Sequence, residues 1–173
     1  MAQFGWIRTL MLVLAVGVAC SRKPVVAGGS SQCRDCHPTF YQKWSTSQHG
    51  LAMQPFTGAF AQGRLQAQAA PLAIGNARYF VNLEGGVVEQ QGSQGTRRLP
   101  IAQVMGGKNT YYFLTPMDRG RLQVLPLAYD VGNRSWYDMA ASGVRLHQTP
   151  EATPLAWTDP AFTFNTSCYS CHV

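Results

Sequence analysis

Acidic side chains are scarce in this 173-residue chain: eight Asp and Glu stand against fourteen Lys and Arg, a formal charge of +6. No carboxylate pair sits beside a base, no serine, histidine and acid form a nucleophilic set, and no GxxxxGK[ST] loop cradles phosphate. Hydrolytic and nucleotide-dependent chemistries therefore have no anchor, and Gly106-Gly107-Lys108, which lacks the loop spacing, reads as a turn. No apolar run reaches the roughly 20 residues of a bilayer-spanning helix. Adjacent basic residues occur only at Arg22-Lys23 and Arg97-Arg98. Scattered charge of this kind is solvated surface, so nucleic acid is not an expected partner.

Cysteine and histidine are also few. There are five cysteines and four histidines, and most fall in two copies of Cys-x-x-Cys-His. One is Cys33-Arg34-Asp35-Cys36-His37; the other is Cys168-Tyr169-Ser170-Cys171-His172. The fifth cysteine, Cys20, ends an apolar N-terminal run, so none remains for a structural disulfide.

Cys-x-x-Cys-His attaches a c-type haem: each thiol forms a thioether to a haem vinyl group, and the adjacent imidazole lies under the iron. Other readings of a cysteine pair are a disulfide, a redox CxxC, or one zinc site built from all four cysteines. None of these requires a histidine directly after the second cysteine in both copies. Two covalent haems are expected, held by Cys33 and Cys36 and by Cys168 and Cys171, with His37 and His172 on the irons. The two remaining imidazoles, His49 and His147, are the number that two bis-histidine haems need. The competing sixth ligand is methionine, from Met53, Met105, Met117 or Met139, and a thioether there raises the reduction potential relative to imidazole.

The N-terminus reads as an export signal over 1–19: an early Arg8, the apolar stretch Leu10 to Ala19, then small residues. Val18-Ala19-Cys20 resembles the end of a bacterial lipobox, which makes Cys20 a lipidation site; Gly17 departs from the leucine usual there, and cleavage near Ala27 or an uncleaved anchor are the alternatives. Residues 20–31 form a linker. Haem attachment of this kind takes place outside the cytoplasm, so an extracytoplasmic protein, in the periplasm or on the outer surface and membrane-anchored, is expected. His172 is one residue from the end of the sequence, where a ligand is poorly held, so the chain reads as the N-terminal piece of a longer protein.

Residues 32–173 suit one dihaem domain of α+β class, with helical or irregular haem-binding segments at both ends of an antiparallel β-meander. Pro38 suits a helix first turn, and Phe40, Tyr41 and Trp44 then share a face. An unbroken helix from His37 to His49 separates them by roughly 18 Å, whereas imidazole nitrogens on one iron are about 4 Å apart. On that geometry His49 caps the other haem. Within 71–146 the chain is β-rich: Arg78–Leu83 and Val87–Gln90 flank Glu84-Gly85-Gly86, and Thr110–Leu114 and Arg121–Tyr129 flank a turn at Met117–Gly120. Asn133–Met139 adds a further strand. The meander should hold four to six strands, with Pro126 at an edge or bulge.

Cys33-x-x-Cys36-His37, the aromatic helix and Trp44-x-x-Ser47-x-His49 resemble multihaem cytochromes of the cytochrome c554 type. Gly120–Pro126, Trp136-Tyr137-Asp138-Met139 and Phe164–His172 resemble exported cytochromes in which such a domain precedes further haem motifs or helical repeats. The resemblance implies electron transfer by low-spin bis-histidine haems between redox protein partners. Cytochrome c554 carries more haem motifs than the two present here, so its catalytic associations are not carried over. The alternative is a multihaem oxidoreductase whose open iron site acts on a small nitrogen or oxygen compound. An interaction domain built on a four-cysteine zinc site is the third class.

Overall fold

A computed structural model describes residues 30–139 and 155–172, and the side chains of Cys171 and His172 lie outside the description. Two helical pieces open it, α1 (Cys33–Cys36) and α2 (Pro38–Ser45), followed by β1 (Met53–Pro55) and α3 (Gly58–Arg64). Eight more strands follow: β2 (Leu72–Ile74), β3 (Ala77–Asn82), β4 (Val87–Gly92), β5 (Gly95–Pro100), β6 (Gln103–Gly106), β7 (Thr110–Pro116), β8 (Leu122–Asp130) and β9 (Ser135–Asp138). A 3-10 turn (Pro160–Phe162) leads to α4 (Phe164–Ser167) and α5 (Tyr169–His172). No helix among the described residues is long and apolar enough to cross a membrane.

The mixed α and antiparallel β composition agrees with the α+β expectation, but the described strands form two sheets, not one meander. One has the order β2-β3-β4-β5, the other β1-β6-β7-β8-β9, with every ladder antiparallel. Alternation on β3, β4, β7 and β8 makes those strands readable. β1 and β2 are three residues each, and β5 carries exposed Thr96, Arg97 and Arg98, so their pairing comes from neighbours and not from their own pattern. The hairpin at 83–86 forms as its glycines suggest: Gly86 takes φ 60°, and the Gly85 N–H donates to Asn82 Oδ1 at 2.8 Å.

The sheets face each other across one core. Tyr79, Val81, Val88 and Leu99 from one meet Val104, Tyr111, Phe113, Leu125, Leu127 and Tyr129 from the other, with Ala61 of α3 closing one side. Aromatic rings fill it in edge contacts, Phe60 on Tyr111 and Tyr129 on Trp136, each with centroids 5.1 Å apart. The Gln-rich stretch after α3 is tied in by amides: Gln68 donates to Tyr79 O at 3.1 Å and accepts from Val81 N at 2.8 Å, standing in for a strand partner of β3.

Segment 155–168 is fixed by one buried side chain. Gln123, 1% exposed, donates through Nε2 to Trp157 O at 2.7 Å and to Asp159 O at 2.9 Å, and its Oε1 accepts from the Thr163 hydroxyl at 3.0 Å. Thr163 also bridges Gln123 through the backbone, and Asn165 Oδ1 accepts from Leu122 N at 2.7 Å. The segment thus takes the place beside the first half of β8 that β9, paired only from Leu127 onward, leaves open. Every amide position of a buried glutamine is used, as burial demands.

Replacing Gln123 by alanine should cost about 2–4 kcal/mol, since two buried carbonyls lose their donor and a void opens. Amide exchange in 157–167 should accelerate more than in β3 or β4. Uniform protection across both regions in the variant would show that the segment is held by something other than this amide.

Candidate haem site

At the N-terminal motif α1 is a single turn. Cys33 and Cys36 are three residues apart and His37 four from Cys33, so all three start from one side of that turn. The turn closes with His37 N donating to Cys33 O at 2.8 Å. Proline then disfavours helical geometry in the residue before it, and His37 departs to φ −128°, ψ 55°. Pro38 restarts the chain at the first position of α2, where its missing N–H costs nothing. Both thiols are exposed and outside any disulfide.

Every residue from 30 to 40 is exposed, and Phe40 is 70% exposed. Tyr41 and Trp44 pair with ring centroids 5.8 Å apart, leaving Phe40 as apolar surface three residues beyond His37. These features fit a covalent porphyrin: two reachable thiols, one imidazole, and an aromatic ring that the porphyrin would shield from water.

His49 does not extend the helix of Pro38. α2 ends at Ser45, and the chain reverses through 46–52. The Ser47 hydroxyl donates to Trp44 O at 2.6 Å and accepts from Gly50 N at 3.2 Å, while Leu51 N and Ala52 N donate back to Ser47 O and His49 O. A Cβ at Gly50 would run into the Trp44 carbonyl oxygen. The straight-helix separation of 18 Å therefore does not apply, and the argument that assigned His49 to the other haem loses its basis. The reversal is tied to the five-stranded sheet by Gly106 N donating to Ala52 O at 2.8 Å, and the His49 side chain is exposed.

At the C-terminal motif, Cys168 follows α4 and its N–H donates to Phe164 O at 3.0 Å. Its side chain is half-buried and packs on a second cluster of Met105, Leu114, Val124, Ala128, Met139 and Phe164, on the side of the sheet facing away from the main core. Cys171 and His172 lie on α5, which starts at Tyr169, and the Tyr169 ring meets Phe164 edge-on at 6.1 Å. Cys20 and His147 lie outside the described residues, as do the export signal at 1–19 and most of the linker. Of the four methionines considered as ligands, Met53, Met105 and Met139 share the second cluster, while Met117 stands in the connection between β7 and β8.

Among the described residues no three His, Cys, Asp or Glu side chains converge on a metal-sized site. A zinc centre would require Cys33, Cys36 and Cys168 to gather; a haem brings its own four nitrogen ligands and requires only thiols and an axial imidazole. Sequence reasoning missed Gln123 and Asn165, which hold the second motif in place. The signal available was weak, a polar residue alternating with apolar ones in a strand.

Residues 32–72 match the family model described as Cytochrome c554 and c-prime, a stretch that contains Cys33, Cys36, His37, Trp44, Ser47 and His49. No curated protein and no solved structure was found to match the chain. The match supports a c-type cytochrome-like family, with covalently bound haem iron and an electron-transfer role, for the region that carries the first motif.

Proposed function

We propose that this chain is an extracytoplasmic electron-transfer cytochrome with two c-type haems, on Cys33 and Cys36 and on Cys168 and Cys171. The observation that carries the reading is the exposed turn Cys33–Cys36, with both thiols reachable and His37 next in the chain, inside the matched stretch. The second motif supports it by repeating the same five-residue spacing. Haem iron, when bound, supplies a one-electron couple whose potential follows its axial ligands and surroundings. The chain's own contribution would be to fix that group: the thiols would bond it, and His37, His172, His49 and His147 would supply imidazoles to hold the irons. Lipidation at Cys20 tethers the protein to a membrane, and redox proteins are the partners.

Protein matured with the c-type haem machinery should carry two covalent haems by intact mass, and Cys33→Ala with Cys36→Ala should leave one. A parent protein with no haem adduct would refute the whole reading.

His49→Ala should convert one haem, and only one, from low to high spin, because a strong-field imidazole is replaced by water or by nothing. Retention of two low-spin haems would remove His49 from the ligand set and favour a methionine.

Cys20→Ser should shift the protein from the membrane fraction to the soluble extracytoplasmic fraction, since acyl chains are its principal anchor. Unchanged fractionation would mean an uncleaved signal anchor or no anchor.

A further inference from the structure

The outward side of the five-stranded sheet is apolar across its whole width. Strand register places Met53, Met105, Tyr112, Ala128 and Tyr137 in one row over β1, β6, β7, β8 and β9, and residues paired across a ladder share a face. With strands about 4.8 Å apart, the row is about 19 Å long. Leu114 and Val124, paired in register, lie on the same side. The inward side is covered by the other sheet; among the described residues, Phe164 and its neighbours cover the middle of the outward side. Met105, Leu114, Val124 and Ala128 are buried there, whereas Met53, Tyr112, Leu122, Tyr137 and Phe162 remain half-exposed.

Cys168 ends the segment that covers that middle and is half-buried against the same cluster. A thioether puts the porphyrin edge one bond beyond the sulfur. A ring attached at Cys168 therefore begins beside that apolar face, part of which is half-exposed. We propose that the outward face of the five-stranded sheet, around Met53, Tyr112 and Tyr137, is the seat of the haem carried by Cys168 and Cys171. The proposal rests on the second motif being loaded, as the dihaem reading holds.

The face suits that occupant. Methionine sulfur is polarizable and adapts to a flat ring, and tyrosine rings add broad apolar area with a polar edge. Tyr137 donates its hydroxyl hydrogen to Thr110 Oγ1 at 3.1 Å. Burial holds the Tyr112 hydroxyl above the ordinary tyrosine range, with the Tyr137 hydroxyl pushing the same way. Among the described residues nothing comparable lies behind the first motif, where residues 30–40 are all exposed.

The test uses the full chain carrying Cys33→Ala and Cys36→Ala, so that only the C-terminal haem is loaded, with methionine methyls isotopically labelled. Signals assigned through Met53→Leu and Met105→Leu should shift between the ferric and ferrous states, because ferric iron is paramagnetic. Tyr112→Ala should lower the reduction potential by admitting water, and Tyr112→Phe should restore most of it. Haem present on Cys168 and Cys171 by mass, with both methyl signals independent of oxidation state, would overturn the proposal and leave the dihaem reading standing. Absence of that haem adduct would overturn both.

Discussion

Strand β8 must satisfy two cores at once, and the rest of the described structure is arranged around that requirement. Seven consecutive residues, Gln123 to Tyr129, are buried. An antiparallel strand commonly leaves one side to water; this one feeds Leu125, Leu127 and Tyr129 inward and Val124 and Ala128 outward. The register against β7 jumps, Tyr112 pairing with Ala128 but Leu114 with Val124. Between those pairs one residue of β7, Phe113, thus opposes three of β8, Leu125, Pro126 and Leu127. An insertion of two preserves the alternation, whereas a slip of one would exchange the faces. Pro126, with no N–H to donate, falls inside that irregular stretch and not in a regular ladder, as its chemistry requires.

Because the outward side of β8 carries apolar residues, something must cover it, and segment 155–168 does so in part. The segment has little secondary structure to hold it, so its position depends on polar clamps from β8: Gln123 toward Trp157, Asp159 and Thr163, and Leu122 N toward Asn165. Cys168 inherits its location from those bonds. The two motifs consequently occupy different settings, the first on an exposed turn, the second against a packed sheet. Desolvation around iron and its ligands is one of the levers a protein has on reduction potential. With both motifs loaded, the same five-residue pattern would give two unequal couples.

How legible this was from the residues depended on how local the determining interaction is. The hairpin at Glu84-Gly85-Gly86 and the pair β7 and β8 could be read, since their alternation and glycine positions are local signals. β1, β5 and β6 could not, because three to six residues without a strong pattern become strands only when a distant partner supplies the ladder. Met53 paired with Met105 is such a case: the two are neighbours across the ladder but about fifty residues apart in sequence. The first Cys-x-x-Cys-His, inside the matched stretch, was readable as a candidate haem motif without any fold, because thioether chemistry dictates residue type and spacing. The outward face that receives Cys168 was not, since it exists only after five strands have been placed in register.

The straight helix expected from His37 to His49 does not form, and the turn that replaces it shows what Trp44-x-x-Ser47-x-His49 encodes physically. Lys43, Trp44 and Ser45 have no intrinsic reason to stop a helix. The stop comes from Ser47, whose short hydroxyl can return to the Trp44 carbonyl while accepting from Gly50 N, a competition with helical bonding that serine is suited to win. Gly50 is required because the reversed chain passes so close to Trp44 that no side chain fits between them. His49 lies inside this bonded turn, its carbonyl taken by Ala52 N, so its backbone is held although its ring is exposed. If His49 is the axial ligand proposed above, ligation from this fixed backbone would cost only the rotamers of one side chain.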